Sequence, residues 1–249
     1  MVVLCGLILL QSARSFKRKE KKAQSEEEKK AQIENSDKSI IEICEEDIRN
    51  TMKKIIDIYH QTLIGLFNED RKLLKKMVAE SEQLYEESHK RKYDMLPTLK
   101  RLEDNYIDTG HYYVQTVDYI DEASKALLHI CRPSFQHIDN NHKSFNEKQV
   151  DDLMHILDEV EAIYKRIIYM LEDNNYDDLD TILVMRDELF DTIAEVIINQ
   201  IRRTKRGESS TKSGMLYLAI VNETKTMVLQ SRNLLKAQKY FVTSADDKK

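Results

Sequence analysis

The sequence predicts an all-α protein of two tandem antiparallel three-helix bundles, six long helices in all. Three observations predict it. Glycine and proline number only 5 and 2 in 249 residues, where an ordinary chain of this length carries about thirty. Sheets, sandwiches and barrels turn often and need such residues at their turns, so few connections are left and long helices remain. From about residue 38 onward apolar residues recur at three-four spacing, the period of a helix with one buried face. Finally, the helices so marked fall into two sets of three, offset by about 100 residues.

Val2 to Leu10, at the start of the chain, is almost wholly apolar, and Arg14, Lys17, Arg18, Lys19, Lys21 and Lys22 come after it. A spanning helix needs about 20 apolar residues, and apolar-then-basic is the order at a cytoplasmic exit from a membrane. Residues 1–15 are therefore read as the remnant of a transmembrane helix, a short interfacial anchor or a disordered start being the other reading. Residues 16–37 form a charged juxtamembrane linker helix. The first repeat spans 38–142: one helix from about Ser39 to Phe67, and a second from near Asn68 carrying Leu74, Met77 and Leu84, which Pro97 kinks or splits. A third starts near Asp108 and carries Val117, Ile120, Ser124, Leu127 and Cys131. The second repeat spans 143–245. Its first helix opens on the capping box Ser144-x-x-Glu147 and keeps Val150, Leu153, Leu157, Val160, Tyr164, Ile167 and Leu171 on one seam. The next starts among Asp177, Asp178 and Asp180 and ends in a basic turn, Arg202 to Arg206, with Gly207 as its stop. Ser209 or Ser210 caps a last helix with Ile220, Thr224, Met227, Ser231 and Leu234 on its seam. Short connections make successive helices antiparallel neighbours.

Composition also excludes function classes. Acids outnumber bases by 44 to 39, which argues against a nucleic-acid binder with its clustered basic face. Three distant cysteines, Cys5, Cys44 and Cys131, give neither a disulfide framework nor a zinc pair, and fit a reducing compartment. No phosphate-cradling glycine loop, nucleophile elbow or His-Glu-x-x-His occurs. No enzyme is predicted, and no catalytic residue.

Three places carry chemistry. On the third helix Asp118, Asp121 and Glu122 stand three and four apart and share a stripe. Clustered carboxylates suit a divalent or ferric ion. Equally, Lys125 stands among them and neutralises such a face at no special cost. Five of the seven histidines (His60, His89, His111, His142 and His155) follow an acid by three residues, against about one by chance. Di-iron bundles use paired Glu-x-x-His motifs, of which only Glu86/His89 has the right acid. Such spacing also serves plain ion pairs and caps. Arg202, Arg203, Lys205 and Arg206 before Gly207–Ser213 would suit a phosphate or lipid headgroup, or simply complement the helix dipole.

Tandem three-helix units with acids on the third helix resemble the PhoU fold. The segments Tyr106–Gln115 (YIDTGHYYVQ) and His137–His142 (HIDNNH) resemble the PhoU-like cytoplasmic C-terminal domain of Bacteroides-type bacterial sodium/phosphate cotransporter family proteins. The resemblance runs to about Phe241. It implies a regulatory domain at the cytoplasmic face of the inner membrane, following the last membrane helix. Its partners would be the membrane portion of the same transporter or a transporter or kinase partner, with a homodimer left open. The other readings are a free-standing phosphate-signalling adaptor and a carboxylate-bundle metalloprotein. The family's metal motif, Glu(Asp)-x-x-x-Asp on each third helix, maps onto Asp118 and Glu122 with the types inverted. In the second repeat Asn222-Glu223 resembles Asp121-Glu122, but Ala219 stands four before Glu223. The metal set implied is Asp118, Asp121, Glu122 and Glu223.

Overall fold

A computed structural model describes residues 42–101 and 107–246. The remnant span, the charged linker and Cys5 lie outside the described residues. The chain divides into two compact units, Met1–Cys44 and Glu45–Lys249, and the second holds the helical body of the protein.

Every described element is a helix, seven in number. They are α1 (42–67), α2 (Arg71–Tyr93), α3 (Met95–Arg101), α4 (Ile107–Asp139), α5 (Glu147–Asp173), α6 (Leu179–Lys205) and α7 (Thr211–Asp246). None of the described helices is long and apolar enough to cross a membrane. In α1, Ile48, Met52, Ile55, Tyr59, Leu63 and Leu66 are buried, a three-four run that presents one face to the core. Leu74, Met77, Ser81, Leu84 and Ser88 repeat it in α2. Pro97 splits rather than kinks the next rod. It has no N–H to give the carbonyl four residues back and its ring crowds that carbonyl, which belongs to Tyr93, the last residue of α2. The chain restarts at Met95 as α3.

The scarcity of glycine is met by other residues at the helix ends. Glu69 and Asn141 take the left-handed conformation at φ 54° and 51°, as Gly207 does at 71°. After α1, Asp70 N–H reaches Gly65 O at 2.8 Å; after α4, His142 N–H reaches His137 O at 3.0 Å; after α6, Glu208 N–H reaches Arg203 O at 3.0 Å. Each closes the six-residue loop that satisfies the last carbonyls of a helix.

Helix α5 begins two residues later than the Ser144 capping box would place it. Asn146 is its cap: the Asn146 side chain accepts from Gln149 N–H at 2.9 Å, and the Gln149 side chain accepts from Asn146 N–H at 3.1 Å. Ser144 instead donates to Glu69. The seam starts at buried Gln149, with Val150 only half-buried, because the capping box needs Gln149 turned inward.

Helix α4 packs along α2 and α7, and α7 also meets α5 and α6. Covered on two sides, α4 buries most of its circumference from Val117 to Cys131. Hydroxyls hold α7 to its neighbours. Thr224 gives its single proton to Ile220 O at 2.8 Å, so Tyr59 of α1 is the donor in the 3.0 Å bond between them. Ser231 likewise donates to Met227 O at 2.9 Å, leaving Tyr164 of α5 to donate to it at 2.5 Å. Both tyrosines are fully buried, which pushes their pKa values up and keeps them protonated as donors.

Candidate functional site

Of the three α4 acids, Asp121 is built into the α2 contact, while Asp118 and Glu122 stay half-exposed beside it. Ser88 and Ser124 are both buried and meet at 3.1 Å; side chains this small let the two helices close together. One turn earlier on α4, Asp121 is carried into the same contact and keeps only 4% of its side chain exposed. It accepts from Lys92 Nζ at 3.1 Å and meets His89 Nδ1 at 3.1 Å. Lys92 also pairs with Asp118 at 2.6 Å. The Asp118 hydrogen bond, with help from Asp121, raises the Lys92 pKa and holds it charged. His89 lies between Tyr85 and Tyr93, ring centres 5.2 and 4.8 Å away.

The four acids implied as metal ligands therefore go to three separate partners. Asp118 and Asp121 share Lys92, Glu122 faces Lys125 at 3.9 Å, and Glu223 faces His129 at 3.4 Å. Among the described residues no group of three or more His, Cys, Asp or Glu side chains is placed to hold a metal ion. The donor set does not converge, and a lysine ammonium occupies the cation's place beside its two closest members. Little in the sequence singles out Lys92. Its only local trace is the spacing His89-x-x-Lys92, which puts both side chains on one face of α2.

The acid-x-x-His spacing has a different meaning from the one a bundle metal site would give it. His60 pairs with Glu161, His89 with Asp121, and His155 with Glu159 at 3.8 Å. His111 meets Gln115, and His142 packs edge-on against His137. Each of the first three finds its acid on another helix or four residues ahead.

The basic turn is partly internal. Arg203 is buried, donates to Asp152 at 2.7 Å and Gln200 at 3.0 Å, and lies over the Tyr217 ring at 5.3 Å. Tyr217 donates to the same Asp152 oxygen at 2.9 Å; burial and that neighbouring carboxylate raise its pKa. Gln149 and Gln200 reach Ser209 at 3.3 and 3.1 Å, which pins the α6–α7 turn to the start of α5. Gly214 fits closely here: a Cβ on it would stand 2.9 Å from Gln200 Nε2 and that amide would have to shift. Arg202, Lys148 and Arg206 line a polar hollow of about 410 Å³ beside this cluster, together with Asp151, Asp152 and Glu208.

A larger concavity lies elsewhere. A trench of about 990 Å³ runs between α1 and α5 up to the α5–α6 turn, with Ile56, Ala162, Ile168, Tyr169 and Met170 contributing its apolar surface. No pattern in the sequence marks it, because it forms between two helices whose individual faces read as ordinary amphipathic surface.

No family model matches the sequence, and no curated protein matches it. Among solved structures, the phosphate transport system regulatory protein PhoU from Streptococcus pneumoniae aligns with a TM-score of 0.67 at 11% identity. The match covers 82% of this chain and 95% of that one. At that identity the likeness is one of fold, and the fold of this chain is that of PhoU.

Proposed function

We propose that this chain is a regulatory domain of phosphate transport that works by docking helix faces onto a membrane partner and catalyses nothing itself. The observation that carries the reading is the match to PhoU over 82% of the chain. Consistent with docking rather than chemistry, the acids of α4 are spent on Lys92 and Lys125, and Glu223 of α7 on His129. The finer assignment is to the cytoplasmic face of the inner membrane, as the PhoU-like portion of a sodium-dependent phosphate transporter. It rests on the resemblance of residues 106–142 and on the apolar-then-basic order of the first 22 residues.

A second reading, a free-standing adaptor, is favoured by one observation: the match takes in 95% of the PhoU chain. An antibody against residues 45–246, used on fractionated native cells, separates the two. A band far larger than the 249-residue chain, retained by membranes after carbonate washing, is expected for the transporter portion. A band of the chain's own size in the soluble fraction contradicts that assignment and supports the adaptor.

A further inference from the structure

The trench between α1 and α5 has a floor, a rim and a length that together describe its occupant. The floor is apolar, with Tyr169 62% exposed despite being a large side chain. On the rim, three acids are spent on local partners: Glu161 on His60, Glu172 on Lys53, and Asp178 on Arg166. Asp57, Asp173 and Asp177 also line the trench and have no ion pair among the described residues, against a single such cation, Lys165. The unpaired charge is therefore acidic, although the whole chain carries only −5 over 249 residues.

Length and volume narrow the ligand class. The lining residues of α5 run from Glu161 to Asp173, about 18 Å at 1.5 Å per residue. A helix about 10 Å across occupies roughly 400 to 600 Å³ per turn, so the 990 Å³ takes about two turns. An apolar floor with an acidic rim complements a helix that is apolar on one side and basic on the other.

The geometry points to this trench as the docking site for a cationic amphipathic helix of the membrane partner. Cytoplasmic segments of membrane proteins carry an excess of Lys and Arg next to their spans, which is the chemistry the rim selects. Identifying the helix with that partner rests on the proposed function; the selectivity of the trench does not.

The test uses the full chain and two labelled synthetic amphipathic peptides of one pattern and about four turns, Leu/Lys and Leu/Glu, followed by fluorescence anisotropy. The Leu/Lys peptide should bind at least about tenfold more tightly than the Leu/Glu peptide. The combined variant Asp57→Asn, Asp173→Asn and Asp177→Asn should weaken Leu/Lys binding about tenfold, as should Ile168→Glu. Neutralising Glu188, Asp191 and Glu195, on α6 and away from the trench, should not. Equal binding of the two peptides, or equal loss with the second set of acids, would overturn the trench as the site. So would self-association of the chain, seen by sedimentation and abolished by Tyr169→Glu, since a second copy would then be the occupant. All the acids changed are exposed, so folding is not at stake in the comparison. A failed peptide assay leaves the proposed function standing. A chain that binds the peptide but has no effect on phosphate uptake contradicts that function and leaves the trench.

Discussion

Lys92 neutralises two carboxylates at once, and one of them, Asp121, has almost no access to water. Removing the ammonium strands a buried acceptor. Lys92→Met should cost about 2 kcal/mol, and the added cost should shrink when Asp121→Asn is made as well; urea unfolding of the four chains of that cycle measures it. His137 gives a pH dependence of a different kind. Burial lowers its pKa below 6.5, reinforced by the nearby His142 and opposed by the Lys143 carbonyl and Glu69. The neutral ring is favoured, its Nε2–H donating to Lys143 O at 3.0 Å. The unfolded chain then binds the proton more readily, so this contribution is whole above about pH 6.5 and is lost as pH falls through the folded pKa. Comparing the wild type with His137→Asn by urea midpoints at about pH 7.5 and about pH 5 should show a smaller acid-side loss in the variant; equal losses would refute it. At this scale the sequence is half legible. The three-four spacing places Asp118, Asp121 and Glu122 on one stripe, but Asp121's partner lies 29 residues away on another helix, and nothing local selects it.

Among the elements, the helix ends reward a different reading from the helix middles. The seams of α4 and α7 are plain because Ile120, Ser124, Leu127 and Cys131, then Ile220, Thr224, Met227, Ser231 and Leu234, all keep one period, and all are buried. Small hydroxyl and thiol residues belong to those seams because each finds a hydrogen-bond partner. Thr224 and Ser231 donate to the carbonyl four residues back, Ser124 meets Ser88 of α2, and Thr62 of α1 donates to Ile58 O, so the Cys131 thiol is the donor to Thr62 at 3.2 Å. Burial pushes that thiol up to about 11, which keeps its proton in place. Caps are harder, since Ser144 and Asn146 are both good N-cap types and each is followed three residues later by Glu or Gln. Packing decides: Gln149 is buried and reaches Gln200 at 3.1 Å, which only the Asn146 register allows. Asn146→Ala should cost about 1 kcal/mol, and Ser144→Ala, which touches only an exposed hydrogen bond, should stay within about 0.5 kcal/mol. Thermal unfolding of the two variants checks the order, and the reverse order would restore the Ser144 cap.

For the whole molecule, α7 is the shared wall. Tyr59 and Tyr164 tie it to the first helix of each set of three, and α4 runs along it. Each tyrosine hydroxyl is a buried donor with one acceptor, so Tyr59→Phe and Tyr164→Phe should each cost about 1 kcal/mol, read from urea midpoints; no loss would show that the straps are incidental. The helical architecture is legible because seven glycines and prolines in 249 residues leave few other ways to fold. The trench is not, because a concavity is a property of two surfaces brought together. We propose that this PhoU-like bundle tunes phosphate entry. Initial rates of labelled phosphate uptake test it most directly, in cells whose copy of the gene lacks the codons for 45–249 and in the same cells with them restored, at low and high external phosphate. Restored cells should cut uptake when phosphate is plentiful, and cells without the bundle should take it up at similar rates in both media. Identical phosphate responses in the two strains would show that the bundle does not tune uptake.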